Sequence, residues 1–171
     1  MVVIGISASH TTTLLAARHP FAIKPFYYAN IPSGGLLFGS EIKAFLEHPA
    51  FEKAVNKNML RSYLSFQYPA GAETFFEGVY SLPQGHYCVY QNGRMRTVGY
   101  WDVDFEDDET LGYDECVETI DDAVHESVAA HQISDVPVGS FLSGGVDSSY
   151  ITACLNPENS VAVGFAQHKF D

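Results

Sequence analysis

Seven consecutive residues, Ser143-Gly144-Gly145-Val146-Asp147-Ser148-Ser149, combine hydroxyl donors, two residues without a side chain and one carboxylate. That set suits an anion. Gly144 and Gly145 let phosphate oxygens approach the main chain closely. A helix starting at about Asp147 would aim its unpaired N–H groups and positive dipole end at the same place. The hydroxyls of Ser143, Ser148 and Ser149 can add donors. Asp147 would repel a bare phosphate and makes sense if a Mg²⁺ ion lies between carboxylate and phosphate. A G-x-x-x-x-G-K-[ST] loop would supply a Lys for the terminal phosphates, and no Lys follows here. The loop better suits holding the β,γ-pyrophosphate as a leaving group while an acceptor attacks the α-phosphorus. That is adenylation rather than γ-phosphoryl transfer. An isolated Ser-Gly-Gly is more often a tight turn, with Asp147 a helix-start residue; the strand–SGGxDS–helix context turns the reading toward binding.

The positioning elements follow from the flanking pattern. Val136–Leu142 reads as a buried strand running into the loop, and a helix is expected from about Asp147 to Leu155. Ser160–Phe165 reads as a second apolar strand, and strand, turn, helix, strand is the start of a parallel α/β sheet. Upstream, Tyr113–His131 carries Val117, Ile120, Val124 and Val128 on one helical stripe, with Asp114 and Glu115 in the first turn where the dipole favours them. An acidic connector, Asp102–Glu109, precedes it and reads as solvated.

The earlier part has a different texture. Val2–Ile6 and Thr12–Ala16 read as strands around the polar turn Ser7–His10. Pro25–Ala29 and Leu36–Phe38 flank Pro32-Ser33-Gly34-Gly35, a hairpin signal. Ser40 is expected to cap a short helix carrying Ile42, Phe45 and Leu46, ended by Pro49. Met59, Leu60, Tyr63 and Leu64 mark a short amphipathic helix. Gly85–Tyr90 and Met95–Trp101 are strands joined by the Asn92-Gly93 turn. Successive hairpins predict antiparallel sheet, so the chain changes class near residue 105. Phe26, Tyr27, Tyr28, Phe38 and Phe45 read as core rather than as a ligand stack. His86 and His125 read as structural or surface residues, and no spacing supports a Ser-His-Asp triad.

Bulk composition narrows the partners. The chain has 171 residues, 21 acidic and 9 basic side chains, and a formal net charge of −12. Such a surface disfavours nucleic acid and anionic membrane. Cys88, Cys116 and Cys154 show no metal-ligand spacing and read as buried free thiols of a reducing compartment. Without a basic n-region or a long apolar run, the expected location is cytoplasmic.

Val136-Pro-Val-Gly-Ser-Phe-Leu-Ser-Gly-Gly-Val-Asp-Ser-Ser149 closely resembles the PP-loop of asparagine synthetases. Ile23-Lys24-Pro25-Phe26-Tyr27-Tyr28 and Phe38-Gly39-Ser40-Glu41-Ile42-Lys43-Ala44-Phe45 resemble the late strands and helix of that family's glutaminase domain. Phe75-Phe76-Glu77-Gly78-Val79, Leu82-Pro83-Gln84-Gly85-His86 and Tyr100-Trp101-Asp102 resemble its closing segment, and Ser160–Phe165 the second strand of its synthetase domain. The resemblance covers nearly the whole chain in order.

It implies an α+β fold, a truncated αββα class II glutamine amidotransferase domain over residues 1–104. An acidic linker at 105–112 follows, then the start of an α/β PP-loop domain, adenine nucleotide alpha hydrolase-like, at 113–171. It also implies an ATP-dependent carbon–nitrogen ligase with glutamine as nitrogen donor, in which aspartate is adenylated with Mg-ATP and ammonia displaces AMP. ATP, aspartate and glutamine are the partners of a full-length, homodimeric form, with no tightly bound cofactor. Carried over by position, Ser143, Gly144, Gly145, Asp147 and Ser148 would hold pyrophosphate and its Mg²⁺, with Val146 in the same loop. Leu142 and Val163 would lie against AMP through their backbones.

Two departures stand out. The family begins with a Cys nucleophile, whereas this chain begins Met-Val-Val, so no catalytic residue is assigned; and the family's Arg-Asp-x-Phe-Gly reads Arg18-His19-Pro20-Phe21-Ala22. The expectation is an incomplete chain that neither hydrolyses glutamine nor makes asparagine alone. Alternatives are a related PP-loop amidotransferase such as a β-lactam synthetase, and a non-catalytic remnant.

Overall fold

The computed structural model describes residues 6–8, 13–21, 23–32, 34–106 and 110–164. The chain divides into two units, Met1–Phe105 and Glu106–Asp171. In the first, β1 (Ile6–Ala8), β2 (Thr13–Ala17), β6 (His86–Gln91) and β7 (Arg94–Gly99) form one antiparallel sheet in the order β1-β2-β6-β7. A second sheet has the order β4-β3-β5, from β3 (Tyr27–Asn30), β4 (Leu36–Gly39) and β5 (Val79–Ser81).

Side-chain alternation along β3 explains how the sheets stack. Tyr28 packs against the cluster of Ala16, Phe26, Leu82 and Cys88, contributed partly by the first sheet. Its neighbours Tyr27 and Ala29 pack on the opposite face, with Phe45, Val79, Leu37, Ile42, Phe51 and Phe76. The second sheet is thus a middle layer between the first sheet and a 3-10 helix, Ile42–Glu47. The register agrees: Tyr28 pairs with Phe38 and Tyr80, while Ala29 pairs with Leu37 and Val79.

Turn chemistry fixes the strand ends. Asn92 (φ +51°) and Gly93 (φ +75°) join β6 to β7 with both central residues in the left-handed region, as a tight hairpin requires. Gly85 precedes β6 at φ +64°, and a Cβ there would lie 2.3 Å from the Trp101 carbonyl oxygen. Its own carbonyl accepts the Tyr100 and Trp101 N–H groups, so the approach closes the unit.

Several expectations need correction. β1 extends to Ala8, into the segment read as a turn; Val2–Gly5 and residues 9–12 lie outside the described residues. Glu41, not Ser40, precedes the short helix, and no side chain caps it. Only six residues separate that cap from His48 and Pro49, and i→i+3 bonds such as His48 N–H to the Phe45 carbonyl satisfy so short a piece. The amphipathic helix is α1, Asn58–Phe66, with Met59 buried.

In the second unit, α2 spans Tyr113–His131 and α3 spans Val146–Leu155. β8 (Ser140–Phe141) and β9 (Ser160–Val161) pair in parallel across α3, so the βαβ connection is present. Yet β8 is two residues long where a buried strand from Val136 was expected. Val136 and Phe141 are exposed, at 70% and 83%. Pro137 donates no N–H, and with β9 the one ladder partner of β8 among the described residues a parallel pair has little to extend along. β9 likewise ends at Val161, and Phe165 lies outside the described residues.

Candidate functional site

The loop leaves β8 through Leu142, whose N–H donates to the Val161 carbonyl at 2.9 Å. That bond ties the start of the loop to the neighbouring strand. Gly144 turns the chain at φ +81°, where an L side chain is strained, and nothing lies within 4 Å of a Cβ placed there. The turn therefore opens outward. Gly145 is the N-cap of α3 and no side chain caps that end. The Ser149 N–H begins the intrahelical ladder by donating to the Gly145 carbonyl at 3.1 Å. The N–H groups before it belong to the unpaired first turn, available to an acceptor from outside.

Ser148 is the hub of the loop. Its Oγ donates to the Gly145 carbonyl at 3.1 Å, accepts the Ser143 N–H at 3.3 Å and lies 2.9 Å from Ser143 Oγ. Ser149 Oγ donates to the same Gly145 carbonyl at 2.8 Å. Three hydroxyls converge on one turn, and among the described residues nothing lies within 4 Å of a Cβ placed at Gly144.

Ser143, Gly144, Gly145, Val146 and Asp147 are exposed, and Leu142 and Ser148 half-buried. Val163 lies past the end of β9, exposed, so it does not share a ladder with Leu142. Asp147 sits in the first turn of α3 and lines a groove of about 410 Å³ between α2 and α3 with Ile120, Val124, Tyr150 and Ile151. Among the described residues no group of three His, Cys, Asp or Glu side chains could hold a metal ion. A lone carboxylate is still compatible with Mg²⁺ that arrives on phosphate, because Mg²⁺ keeps waters and needs one or two carboxylates besides the phosphate oxygens. Between Arg96 and Lys169 the chain has no lysine or arginine.

Elsewhere the resemblance segments have plain structural roles. Arg18 donates to Ser81 Oγ at 3.0 Å and to the Leu82 carbonyl, and the Tyr100 hydroxyl donates to the Arg18 carbonyl at 2.8 Å. Desolvation lowers the Arg18 pKa, partly countered by Tyr27. His19 accepts the Phe21 N–H on Nδ1 at 3.3 Å, a bond to the backbone two residues on of the kind that Asn and Asp side chains make in turns.

Residues 1–101 match the family model described as glutamine amidotransferase domain, and residues 119–171 match asparagine synthase. The chain is 35% identical over 162 residues to asparagine synthetase [glutamine-hydrolyzing] 1 of Bacillus subtilis (strain 168), covering 92% of this chain and 25% of that protein. It is 36% identical over 141 residues to asparagine synthetase [glutamine-hydrolyzing] 3 of the same organism, covering 82% and 23%. It is also 33% identical over 147 residues to amidase chry2 of Gibberella zeae, covering 84% and 21%.

The chain belongs to the asparagine synthetase family. It spans about a quarter of the length of the curated relatives it matches. It carries a glutamine amidotransferase region followed by the start of an asparagine synthase region. Among the described residues no helix is long and apolar enough to cross a membrane.

Within the asparagine synthase region, sequence reasoning missed the groups that brace the loop. Ser140 Oγ lies 2.8 Å from Thr152 Oγ1 and 3.5 Å from Ser160 Oγ, and Thr152 Oγ1 donates to the Ser148 carbonyl at 2.7 Å. Tyr150 donates to the Asp121 carboxylate. The only available signal was helical spacing: Tyr150 follows Asp147 by three residues and so shares its face.

Proposed function

We propose that Leu142–Ser148 forms the diphosphate-binding part of an ATP site, for the adenylation of a carboxylate ahead of amide formation. The carrying observation is the open, left-handed turn at Gly144 directly before the uncapped N-terminus of α3. A diphosphate would accept from first-turn N–H groups and take up the hydroxyls of Ser143 and Ser148, now bonded to each other. Exchanging those bonds costs little, since each is worth about 1 kcal/mol net. No lysine or arginine lies between Arg96 and Lys169, and in this proposal Mg²⁺ travels with the phosphates, one of its ligands being Asp147. Leu142 and Val163 would border the adenosine end through their backbones.

The relatives named asparagine synthetase make aspartate the acceptor of this proposal, and glutamine the nitrogen source of the longer protein. Residues 1–104 would then be part of an αββα amidotransferase fold and 113–171 the opening of a PP-loop fold, joined by 105–112, in a cytoplasmic, homodimeric enzyme. The relative named an amidase supports a second reading, the same loop serving another acceptor.

Calorimetric titration of the chain with pyrophosphate tests the phosphate side. Binding is expected with Mg²⁺ and lost when EDTA removes it. Gly144→Val should weaken it about tenfold or more by straining the turn. Equal binding by this variant, or binding indifferent to Mg²⁺, refutes the assignment.

A further inference from the structure

Helix α3 is held from two sides. Toward β8 the link is the Ser140–Thr152 hydroxyl pair. Toward α2 it is the Tyr150 hydroxyl, which donates to the Asp121 carboxylate across 29 residues of sequence. Neither helix has a buried residue, so apolar packing between them does not by itself define one arrangement.

The polar contact has further parts. His125, one turn beyond Asp121, places Nδ1 2.9 Å from the Asp121 carbonyl oxygen and 3.5 Å from its Oδ1. Its ring meets Tyr150 edge-on, at 6.5 Å between centroids and 84° between planes. The Tyr150 phenol is pushed up to about 12, first by the hydrogen bond to Asp121 and then by desolvation. A charge-assisted bond of this kind is directional and stronger than a neutral one.

Tyr150 lies two residues beyond Ser148, on the helix whose first turn carries the loop's hydroxyl and N–H donors. We propose that the Asp121–Tyr150 hydrogen bond is a positioning device that fixes the rotation of α3 on α2, and thereby aims Ser148 and the first-turn N–H groups at the bound diphosphate. Tyr150 and Asp121 touch no phosphate; they act through α3. The functional half rests on the diphosphate reading above, and the mechanical half does not.

The test uses the full chain with three substitutions. Tyr150→Phe removes only the hydroxyl, Asp121→Ala removes the acceptor, and Asp121→Asn keeps an acceptor oxygen. Amide hydrogen exchange over Ser143–Ser149 is followed without ligand, and Mg²⁺–pyrophosphate affinity by calorimetry. Y150F and D121A should speed loop exchange and weaken binding about fivefold, while D121N, which keeps a weaker neutral bond, should fall between them and the parent in both. Unchanged loop exchange in Y150F overturns the proposal, as does D121N behaving like D121A. Faster exchange with unaltered pyrophosphate affinity also overturns it, since the bond would then be merely structural. If the parent chain binds no pyrophosphate, the diphosphate reading falls and exchange alone still judges the brace.

Discussion

Every buried hydrophobic residue among those described, from Ala16 to Cys88, lies in the unit ending at Phe105, and none lies after it. The residues with a case for phosphate chemistry lie in the other unit. The first unit is organised by apolar side chains sandwiched between two sheets. The second is organised by directional bonds: hydroxyl to hydroxyl at Ser140–Thr152, hydroxyl to carboxylate at Tyr150–Asp121, and hydroxyl to main chain at Ser148–Gly145. The two kinds of organisation respond differently to substitution, because lost packing scales with volume removed whereas a lost hydrogen bond leaves volume unchanged.

The largest effect is expected from truncating one packed residue in each unit. Leu82 is fully buried in the cluster with Ala16, Phe26 and Cys88. Leu82→Ala should destabilise the first unit by about 2–5 kcal/mol. Trp101, the only tryptophan, belongs to that unit and gives a fluorescence melt specific to it. Ile151, in the α2–α3 groove, is 47% exposed. Ile151→Ala should cost under about 1 kcal/mol, read from helix loss by circular dichroism. Similar costs at both positions would erase the contrast.

A second contrast pairs two glycines that share a left-handed backbone and differ in surroundings. Both would strain an alanine. At Gly85 the new Cβ also meets the Trp101 carbonyl oxygen, whereas at Gly144 it meets open space. Gly85→Ala should therefore cost about 3 kcal/mol or more and shift the Trp101 emission. Gly144→Ala should cost about 1–2 kcal/mol and leave that emission alone. Denaturant melts of both variants decide it, and a silent G85A would show that the closing contact can relax.

What could be read from the sequence divides along the same line. Turn chemistry and periodicity are local, so the Asn92-Gly93 hairpin, the Tyr113–His131 helix and the parallel β8–α3–β9 order were legible. The turn at Gly144 and the helix start after it were legible because Ser143–Ser149 is one continuous segment. The brace was not, because Asp121 and Tyr150 become partners only when two helices dock, and each alone is an ordinary helix-surface residue. Arg18 and Ser81, 63 residues apart, are the same case in the first unit. Val136–Leu142 misled in the other direction: its apolar run has the composition of a buried strand, but burial depends on neighbours that composition does not name.

The smallest effect concerns the thiols, all three of which are free. The expectation of three buried thiols holds for Cys88 alone; Cys116 and Cys154 are half-buried on α2 and α3. Burial raises the Cys88 pKa, against a weaker lowering by a backbone hydrogen bond involving Ala16. Both access and thiolate fraction therefore suppress its reaction, since the thiolate is the nucleophile. Under native conditions a neutral disulfide reagent should modify two thiols first and Cys88 roughly tenfold or more slowly, the gap closing in denaturant. Leu82→Ala should narrow the gap without denaturant, because it opens the cluster around Cys88, whereas Ile151→Ala should leave Cys88 as slow as in the parent. Mass mapping of the modified peptides distinguishes the sites. If Cys88 reacts as fast as Cys154, the first unit opens as readily as the second, and apolar packing does not separate them.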